Sequence, residues 1–289
     1  MGFVLEPEEA AEWIATDPRN AEVLFPYLNG EDLNSRPDAS ASRWVIDFND
    51  RTEAEAASYP LPFARLLKTV KPERAEKPLA VSSAPWWRFL RTRGEMRRAI
   101  EGKSEVLVIA LVSKTVMPVR VAAHQIPSHK LGVFADDSVG TQAILSSSLH
   151  WLWTVRYSST MRADINYSPS DAFLTFPRPN STPDLQAAGQ QLESDRREIM
   201  LRRNLGLTKL YNLVNDPDVR TDRDIQHLRD IHVSIDNACL RAYGWDDISP
   251  THGFHTYRQL IRWSTSPSAG AEILDRLLSE NLRRGSRSD

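Results

Sequence analysis

The sequence predicts an α+β protein in which a mixed β-sheet domain is followed by a smaller, all-helical domain. Two observations support this fold class. Apolar or alternating segments of strand length recur between residues 43 and 180, interspersed with helical patterns. After the proline-rich stretch PRPNSTPDLQ, which is typical of a linker, every remaining segment has helical spacing. A chain of 289 residues is long enough for both domains.

The first 60 residues predict a helix, an irregular loop and a strand. The helix lies in LEPEEAAEWIA, which carries acidic residues in its first turn, where the helix dipole favours them. The strand is SRWVIDF, which alternates and is rich in aromatic and β-branched residues. The loop between them, YLNGEDLNSRPDAS, has glycine, aspartate, asparagine and serine residues that suit turns and cap hydrogen bonds.

From residue 52 onwards the pattern predicts helices and then a sheet. TEAEAASYPLPFARLLKTVKPERAEK has helical spacing on both sides of a break at its first prolines. WWRFLRTRGEMRRAI predicts a loop followed by a short helix. SEVLVIALVSK is the clearest strand, because its long apolar run is typical of a strand at the centre of a sheet. Its predicted neighbours are VMPVRVAAH and KLGVFADD.

The rest of the sheet domain predicts one helix and two short extended segments. AILSSSLHWLWTVRYSS has the spacing of an amphipathic helix, whereas ADINYSP and DAFLTFPRP predict extended backbone. Beyond the linker, apolar residues at helical spacing mark the buried faces of the C-terminal helices, namely Leu185, Ala188, Leu192, Ile199, Leu228, Ile231, Ile235 and Ala238.

Composition excludes several classes of protein. No apolar run approaches the roughly 20 residues that a membrane helix needs, so no membrane association is expected. The N-terminus is acidic, which is unlike a signal peptide. Cys239 is the single cysteine, so no disulfide framework can form and a reducing compartment is expected. Together these features predict a cytoplasmic protein.

Charge is distributed unevenly, although the net charge is only −2. Residues 1–60 carry thirteen acidic side chains against four basic ones, whereas residues 65–130 carry fourteen basic against five acidic. A basic block of this kind indicates either a phosphate-binding surface or a solvated helix face, and charge alone does not decide between them.

Motif searches point away from catalysis. No two of the twelve glycines lie within two residues of each other, which excludes the G-x-G of nucleotide fingerprints. The chain also lacks G-x-S-x-G and H-E-x-x-H, and His252 and His255 have no further ligands at metal spacing. Pro37-Asp38 and Glu101–Lys103 match a metal-nuclease pattern only loosely, because EGK precedes a strand. Neither a catalytic nor a metal site is predicted.

Several long segments occur in the order of one known family. They begin with YLNGEDLNSRPDASASRWVIDF and continue with YPLPFARLLKTVKPER, WWRF, ALVSKT, VFADD, AILSSSLHWLWTVRYSSTMRADINYSPSDAFLTFPRP, LRRNLGLTKLYNLVNDPD, LRDIHVSIDNACLRAYGWDDI and HGFH. Through these segments, which cover nearly the whole chain, the sequence resembles the C-terminal half of MmeI-like (type IIL) restriction-modification enzymes and related adenine-specific DNA methyltransferases.

The resemblance implies a module that recognises double-stranded DNA in a restriction-modification system. Residues 1–60 would be a seam leading into the module, 61–180 the target-recognition domain and 184–289 the helical C-terminal domain. The family's S-adenosylmethionine motifs and its Pro-Pro-aromatic catalytic loop lie upstream of the matched region, and this chain has no Pro-Pro pair. We therefore expect no catalytic activity and no cofactor in this chain.

The same resemblance implies a partner. A methyltransferase domain, upstream or in trans, would hold S-adenosylmethionine, and a nuclease, if present, would hold Mg²⁺. Two alternatives stay open: the chain could be the inactive truncated end of a methyltransferase gene, or a protein–protein adaptor whose basic face binds an acidic partner.

Family positions that help choose a base pair alternate just before the signature Y-S/T-P-S-D. The matching residues here are Arg162, Asp164 and Asn166. Alternate spacing would place all three on one face of an extended segment. Their chemistry fits this role, since Arg suits guanine, Asp suits cytosine and Asn suits adenine. The alternative is a surface ion pair between Arg162 and Asp164.

Further contacts are predicted from the basic block and two loops. Trp86, Trp87, Trp151 and Trp153 are expected to pack in the core or between domains, because groove recognition relies on hydrogen-bonding groups more than on stacking. A second base-reading strip is predicted at Ser113, Lys114 and Lys130. The predicted phosphate contacts, each of which could instead solvate a helix face, are Arg88, Arg91, Arg93, Arg97, Arg98 and Lys103.

Overall fold

The computed structural model describes residues 2–161, 164–257 and 260–286. Within these ranges the strands are β1 (Val4–Leu5), β2 (Leu24–Leu28), β3 (Arg43–Ile46), β4 (Glu105–Ala110), β5 (Val112–Ser113), β6 (Val119–Ala122), β7 (Ile126–Pro127), β8 (Leu131–Phe134), β9 (Ser159–Met161), β10 (Asp164–Asn166), β11 (Gly253–Tyr257) and β12 (Leu260–Ser264). The α-helices are α1 (Pro7–Thr16), α2 (Gly30–Ser35), α3 (Glu53–Ala57), α4 (Pro60–Ala75), α5 (Leu79–Ser82), α6 (Gly94–Ile100), α7 (Val139–Ser146), α8 (Ser148–Tyr157), α9 (Pro183–Arg203), α10 (Leu207–Val214), α11 (Arg223–Tyr243) and α12 (Pro267–Gly285). The predicted mixed α+β class is confirmed.

The N-terminal part of the chain builds a first hydrophobic core around paired strands. β2 and β3 are antiparallel with Leu24 opposite Ile46, and β1 adds to the other edge of β3. Leu24, Ile46 and Phe48 are buried together with Leu66 of α4. β7 joins the free edge of β2 in parallel, which connects this core to the segment that follows β6.

The helices on either side of the proline break are confirmed. α3 ends at Ala57 and α4 begins at Pro60, where a proline fits because the first N–H groups of a helix have no intrahelical partner. Thr52 and Glu55 form a reciprocal capping box that starts α3. The short helix predicted after the tryptophan pair is α6.

A second core forms around β4, which lies between β6 and β8 in an antiparallel sheet. The residues from Val106 to Ala110 are all buried, as expected of a strand that is covered on both faces. Trp151 and Trp153 of α8 lie in this core, and Trp86 and Trp87 pack against the first one. The predictions for the central strand and for the tryptophans are both confirmed.

The C-terminal helices share the second core with the sheet. α9 lies so close to α7 that a Cβ on Gly189 would be 1.9 Å from the carbonyl oxygen of Val139, so only glycine fits there. Leu192 and Ile235 belong to the same buried cluster as Leu107 of β4. The region is helical as predicted, but it is not all-helical. The sequence pattern did not predict its hairpin of β11 and β12, because the two strands are short and lie between strongly helical segments.

Two local predictions are wrong. The segment AILSSSLHWLWTVRYSS forms two helices instead of one, because Ser147 has extended backbone and its hydroxyl accepts from the His150 amide to start α8. Both helices are buried on most sides, so the amphipathic pattern is absent. Pro169–Phe173 forms a single π-helical turn instead of an extended segment, because the Ser168 hydroxyl accepts from the Asp171 amide.

Two histidines are buried, and for His232 the charge of Asp236 only partly opposes the effect of burial. His150 lies 2.8 Å through Nδ1 from the carbonyl of Leu145, and His232 lies 2.9 Å through Nε2 from the hydroxyl of Tyr211. Burial lowers the pKa of each imidazole to about 4. Both side chains are therefore neutral at physiological pH.

Among the helices that the structure describes, none combines the length and the apolar character required to cross a membrane.

We expect the free energy of unfolding to fall by roughly 2–4 kcal/mol between pH 7 and pH 5. In the unfolded chain each histidine binds a proton below its ordinary pKa of about 6.5, whereas the folded chain does not until about pH 4, so acid favours unfolding in that window. Urea titrations at both pH values measure the change. His150→Gln should reduce the loss, and the matched control His124→Gln, at an exposed histidine, should not.

Candidate nucleic-acid interface

One backbone position joins the central sheet to a second, three-stranded sheet. The amide of Leu111 donates to the carbonyl of Lys130 at 2.9 Å, and the carbonyl of Leu111 accepts from the amide of Tyr167 at 2.7 Å. The sheet β5-β10-β9 therefore continues directly from β4 and β8. This junction brings segments that are distant in sequence to one surface.

β10 presents two of the predicted base-reading side chains on one face. Asp164 and Asn166 are half-buried and alternate with Ile165, which is buried in the second core. The amide group of Asn166 donates to the Ser159 hydroxyl at 3.0 Å across the hairpin. This geometry agrees with the alternate spacing in the sequence. The third residue of the predicted triplet, Arg162, lies outside the described residues.

Two neighbouring residues that are predicted to read bases differ in exposure: Ser113 ends β5 and points inward, whereas Lys114 follows it and points outward. Ser113 lies opposite Ile165, is buried, and shares a 2.8 Å hydrogen bond with the Thr115 hydroxyl. Lys114 is exposed. Continuing the strand register by one residue places Lys114 beside Asp164. The structure thus brings Lys114 to the face of Asp164 and Asn166, and gives Ser113 contacts within the chain.

Lys130 is exposed at the other side of the Leu111 junction. The preceding loop is held in place because the Ser128 amide donates to the carbonyl of Leu28 at 2.8 Å. An added Cβ on Gly30 would lie 4.0 Å from the Cβ of Lys130, so α2 begins beside this lysine. We call the surface formed by Lys114, Asp164 and Asn166 the polar face.

The acidic loop at the start of α2 has a structural role. The Asn29 side chain accepts from the amides of Glu31 and Asp32 at 2.8 and 3.0 Å. The Asp32 carboxylate in turn accepts from the Asn29 side-chain amide at 2.8 Å and from the Ser42 amide at 3.1 Å. This capping box, with Asp32 buried, fixes the chain between the two cores. The cap bonds predicted for Asp32 are confirmed, but the irregular loop predicted here is wrong, because this capping box starts the helix α2 at Gly30.

The predicted phosphate-binding residues fall into two groups, of which the first is already paired. Arg97 forms an ion pair with the buried Asp47 and donates to the carbonyl of Thr92 at 2.8 Å. Lys103 lies 3.2 Å from Asp137. Arg88 lies 4.0 Å from a carboxylate oxygen of Asp50, at the limit of an ion pair.

The second group is exposed. Arg91 and Arg93 form no ion pair with any residue in the described ranges, and Arg98 donates to the carbonyl of Gly94 at 3.3 Å. Arg93 has a left-handed backbone with φ of +53° at the start of α6, which turns the chain sharply there. Three of the six predicted phosphate-binding side chains are therefore available to a ligand.

An open groove of about 690 Å³ runs from Arg91 and Arg93 to the loop before Lys130. Arg91 and Arg93 line one part of it, and Ser128 and His129 line another. Tyr27 also lines the groove, where burial raises the pKa of its hydroxyl and the charge of Arg93 partly opposes that rise. Arg91, Arg93 and the loop before Lys130 thus border one depression.

The chemistry of this surface is that of recognition by hydrogen bonding. Asp164 offers acceptors, the lysines and arginines offer donors, and Asn166 offers both. In the ranges that the structure describes, no three histidine, cysteine, aspartate or glutamate side chains are grouped so that they could hold a metal ion. The His252 ring lies 2.8 Å from Asp236, which gives that histidine a structural contact.

Four arginines in the described ranges are buried that the sequence did not indicate, and the most accessible of them is Arg74, at 9% exposure. Arg196, Arg229 and Arg262 are 2%, 2% and 6% exposed, although arginine is rarely buried. Burial lowers the pKa of Arg262 to about 10, so the side chain stays charged at neutral pH. Helical spacing would have placed Arg196 and Arg229 on the apolar stripes of α9 and α11, which is the only signal that could have indicated their burial.

Comparison with known proteins places this fold. The family model described as "MmeI, target recognition domain" matches residues 1–180. The structure is similar to that of the type IIL restriction-modification enzyme MmeI in complex with DNA, with a TM-score of 0.66 and 19% sequence identity over 99% of this chain. The chain spans about a third of that enzyme's length, covering 34% of it. None of the curated proteins matches this sequence.

We expect Arg97→Ala to lower the free energy of unfolding by about 2–3 kcal/mol, because the buried Asp47 carboxylate would lose its ion pair. Arg91→Ala is the matched control, since this exposed arginine has no ion pair in the described ranges and should change stability by less than about 0.5 kcal/mol. Urea titration of the three proteins measures both values. Equal losses of unfolding free energy in the two variants would contradict the division of the basic block into paired and exposed side chains.

Proposed function

The chain belongs to the family of MmeI target recognition domains, and from this premise we propose that it reads a specific sequence in double-stranded DNA. The observations that carry the proposal are the polar face and the exposed Arg91 and Arg93, which border a groove that reaches the loop before Lys130. A recognition domain needs cations that hold the phosphates and polar groups that contact base edges. This chain exposes both kinds of group.

The proposed roles follow from exposure and chemistry. Arg91, Arg93 and Arg98 contact phosphates and set the position of the domain on the duplex. Asp164 and Asn166 contact base edges, since a carboxylate accepts from cytosine N4 and a side-chain amide pairs with adenine N6 and N7. Lys114 of the polar face and the exposed Lys130 donate to acceptors such as guanine O6 and N7.

We further propose that the domain works with a methyltransferase, either as part of a longer chain or in trans. The solved enzyme of similar fold is about three times as long, since this chain covers 34% of it. The methyltransferase would bind S-adenosylmethionine and transfer its methyl group to an adenine that is extruded from the duplex. In this proposal the present chain supplies the sequence specificity and no cofactor. Its cellular place would be the cytoplasm, in defence against phage.

Duplex binding should depend steeply on salt. We expect the logarithm of the affinity for a randomised duplex pool to fall linearly with the logarithm of salt concentration, because bound arginines release counterions. Changing Arg91 and Arg93 together to alanine should reduce the slope by about 2. Fluorescence anisotropy at several salt concentrations gives the slopes. Arg223→Ala, at an exposed arginine of α11, is the control that should leave the slope unchanged.

If the wild-type chain shows no salt-dependent binding to the duplex pool, alone or with the neighbouring methyltransferase, DNA recognition is wrong. Binding to an acidic protein with no affinity for duplex would favour the adaptor instead.

Asp164→Ala and Asn166→Ala should each relax the preference at one base pair. We expect a loss of discrimination of about 1–3 kcal/mol at that position, with the salt slope unchanged. Selection from a randomised duplex library, followed by sequencing, measures the preference at every position. Thr160→Ala is the matched control in the same sheet, because Thr160 lies opposite Ile165 and thus on the other face. An equal loss of affinity for all sequences would exclude Asp164 and Asn166 as base-reading residues.

A further inference from the structure

Arg262 of the C-terminal hairpin reaches the segment that presents Lys114. Its guanidinium donates to the carbonyl of Lys114 at 3.2 Å and to the carbonyl of Thr115 at 3.0 Å. The same group lies 4.6 Å from the centre of the Trp151 ring. Among the described residues no carboxylate forms an ion pair with this buried cation. The charge of Asp236 acts on it from farther away, and its direct partners are backbone carbonyls and an aromatic ring.

A second buried arginine holds the other end of the same segment. Arg196 of α9 donates to the carbonyl of Pro118 at 3.1 Å. The segment Lys114–Pro118 therefore has hydrogen bonds from the C-terminal region at its first, second and last carbonyls. These contacts link residues that are 78 to 148 positions apart in the chain.

The segment needs support from outside because its backbone is unfavourable. Val116 has a φ of +48°, which is rare for a β-branched residue. Thr115, Val116 and Met117 are buried, so Lys114 is the one exposed side chain before Pro118. The direction of Lys114 thus depends on where its own carbonyl and the next one are held.

We propose that Arg262, assisted by Arg196, is a positioning residue for sequence recognition: it fixes Lys114 relative to Asp164 and thereby sets the geometry of the polar face. This inference rests on the proposed DNA recognition. It gives the C-terminal region a part in specificity without requiring that region to touch DNA at these residues.

Arg229 shows what a purely structural arginine looks like in the same region. It is equally buried and donates to the carbonyls of Leu213, Val214, Asp216 and Val219. It also lies over the ring of Phe254 at 4.8 Å. These carbonyls follow or end α10 and have no contact with the polar face through Arg229. Arg229→Met is therefore a matched control for Arg262→Met.

The first measurement needs no DNA. Hydrogen exchange of the backbone amides from Lys114 to Met117 should be at least about tenfold faster in Arg262→Met than in the wild-type protein. Arg229→Met should change the exchange rates of these amides by less than about twofold. It should instead speed the exchange of the amides near residues 213–219. Unchanged exchange in Arg262→Met, or the same increase in both variants, would overturn the positioning role.

The second measurement is library selection with the full chain. Arg262→Met should lose about tenfold of its preference at the base pair where Lys114→Ala also loses preference, with affinity for the randomised pool within about twofold of wild type. Arg229→Met should keep the wild-type preference at that base pair. An Arg262→Met protein that also keeps this preference would overturn the inference while the proposed function stands.

Arg262→Lys covers the case in which Arg262→Met does not fold. A lysine keeps the charge over Trp151 but lacks the planar fork that bonds two carbonyls. We expect a partial loss, of about threefold, at the same base pair. A full wild-type preference in Arg262→Lys together with unchanged exchange would overturn the inference. If the wild-type chain itself binds no duplex, the proposed function fails, and the exchange data then report on the segment alone.

Discussion

The close approach of α9 to α7 is the contact on which the arrangement of the C-terminal region depends. Because residue 189 is a glycine, α9 can lie against the carbonyl of Val139, where any side chain would collide with the backbone. This approach lets Leu192 of α9 enter the same core as Leu107 of the central strand. The sheet and the helices are therefore one packed body, and α9 carries Arg196 to the carbonyl of Pro118.

Cations in this chain serve two purposes that the sequence does not distinguish. Arg97, Arg196, Arg229 and Arg262 are withdrawn from solvent to different degrees and satisfy a carboxylate or backbone carbonyls. Desolvating a guanidinium is costly, and these hydrogen bonds offset the cost because they replace bonds to water. Exposed arginines such as Arg91 keep their hydration and can exchange it for phosphate contacts on binding.

The join between the two cores is as closely specified as the cores themselves. Asn29 and Asp32 form a capping box, and the Asp32 carboxylate also accepts from the Ser42 amide. This carboxylate therefore has a structural role in the fold. A Cβ on Gly206 would lie 2.4 Å from the carbonyl of Ser35, so the end of α2 touches the start of α10. α2 thereby connects the N-terminal core, the C-terminal helices and the loop of Lys130.

Local pattern determined the elements that are decided by short-range preference. The apolar run from Val106 to Ala110, the proline at the start of α4 and the helical stripes of α9 and α11 each follow from periodicity or backbone chemistry. The alternation of Asp164 with Ile165 likewise predicted which side chains share a face. Local pattern did not predict elements that depend on one capping hydroxyl, such as the break between α7 and α8 at Ser147.

The tertiary structure alone decided which charged groups are available. Arg91 and Arg97 look alike in the sequence, but only Arg97 meets a buried carboxylate, because Asp47 is brought to it by the folding of β3 onto β2. Ser113 and Lys114 are neighbours in the chain, yet the strand pairing turns one inward and the other outward. Arg262 reaches Lys114 across 148 residues. Such contacts depend on packing between distant segments, whereas sequence periodicity reports only on the few residues that share a turn or a strand.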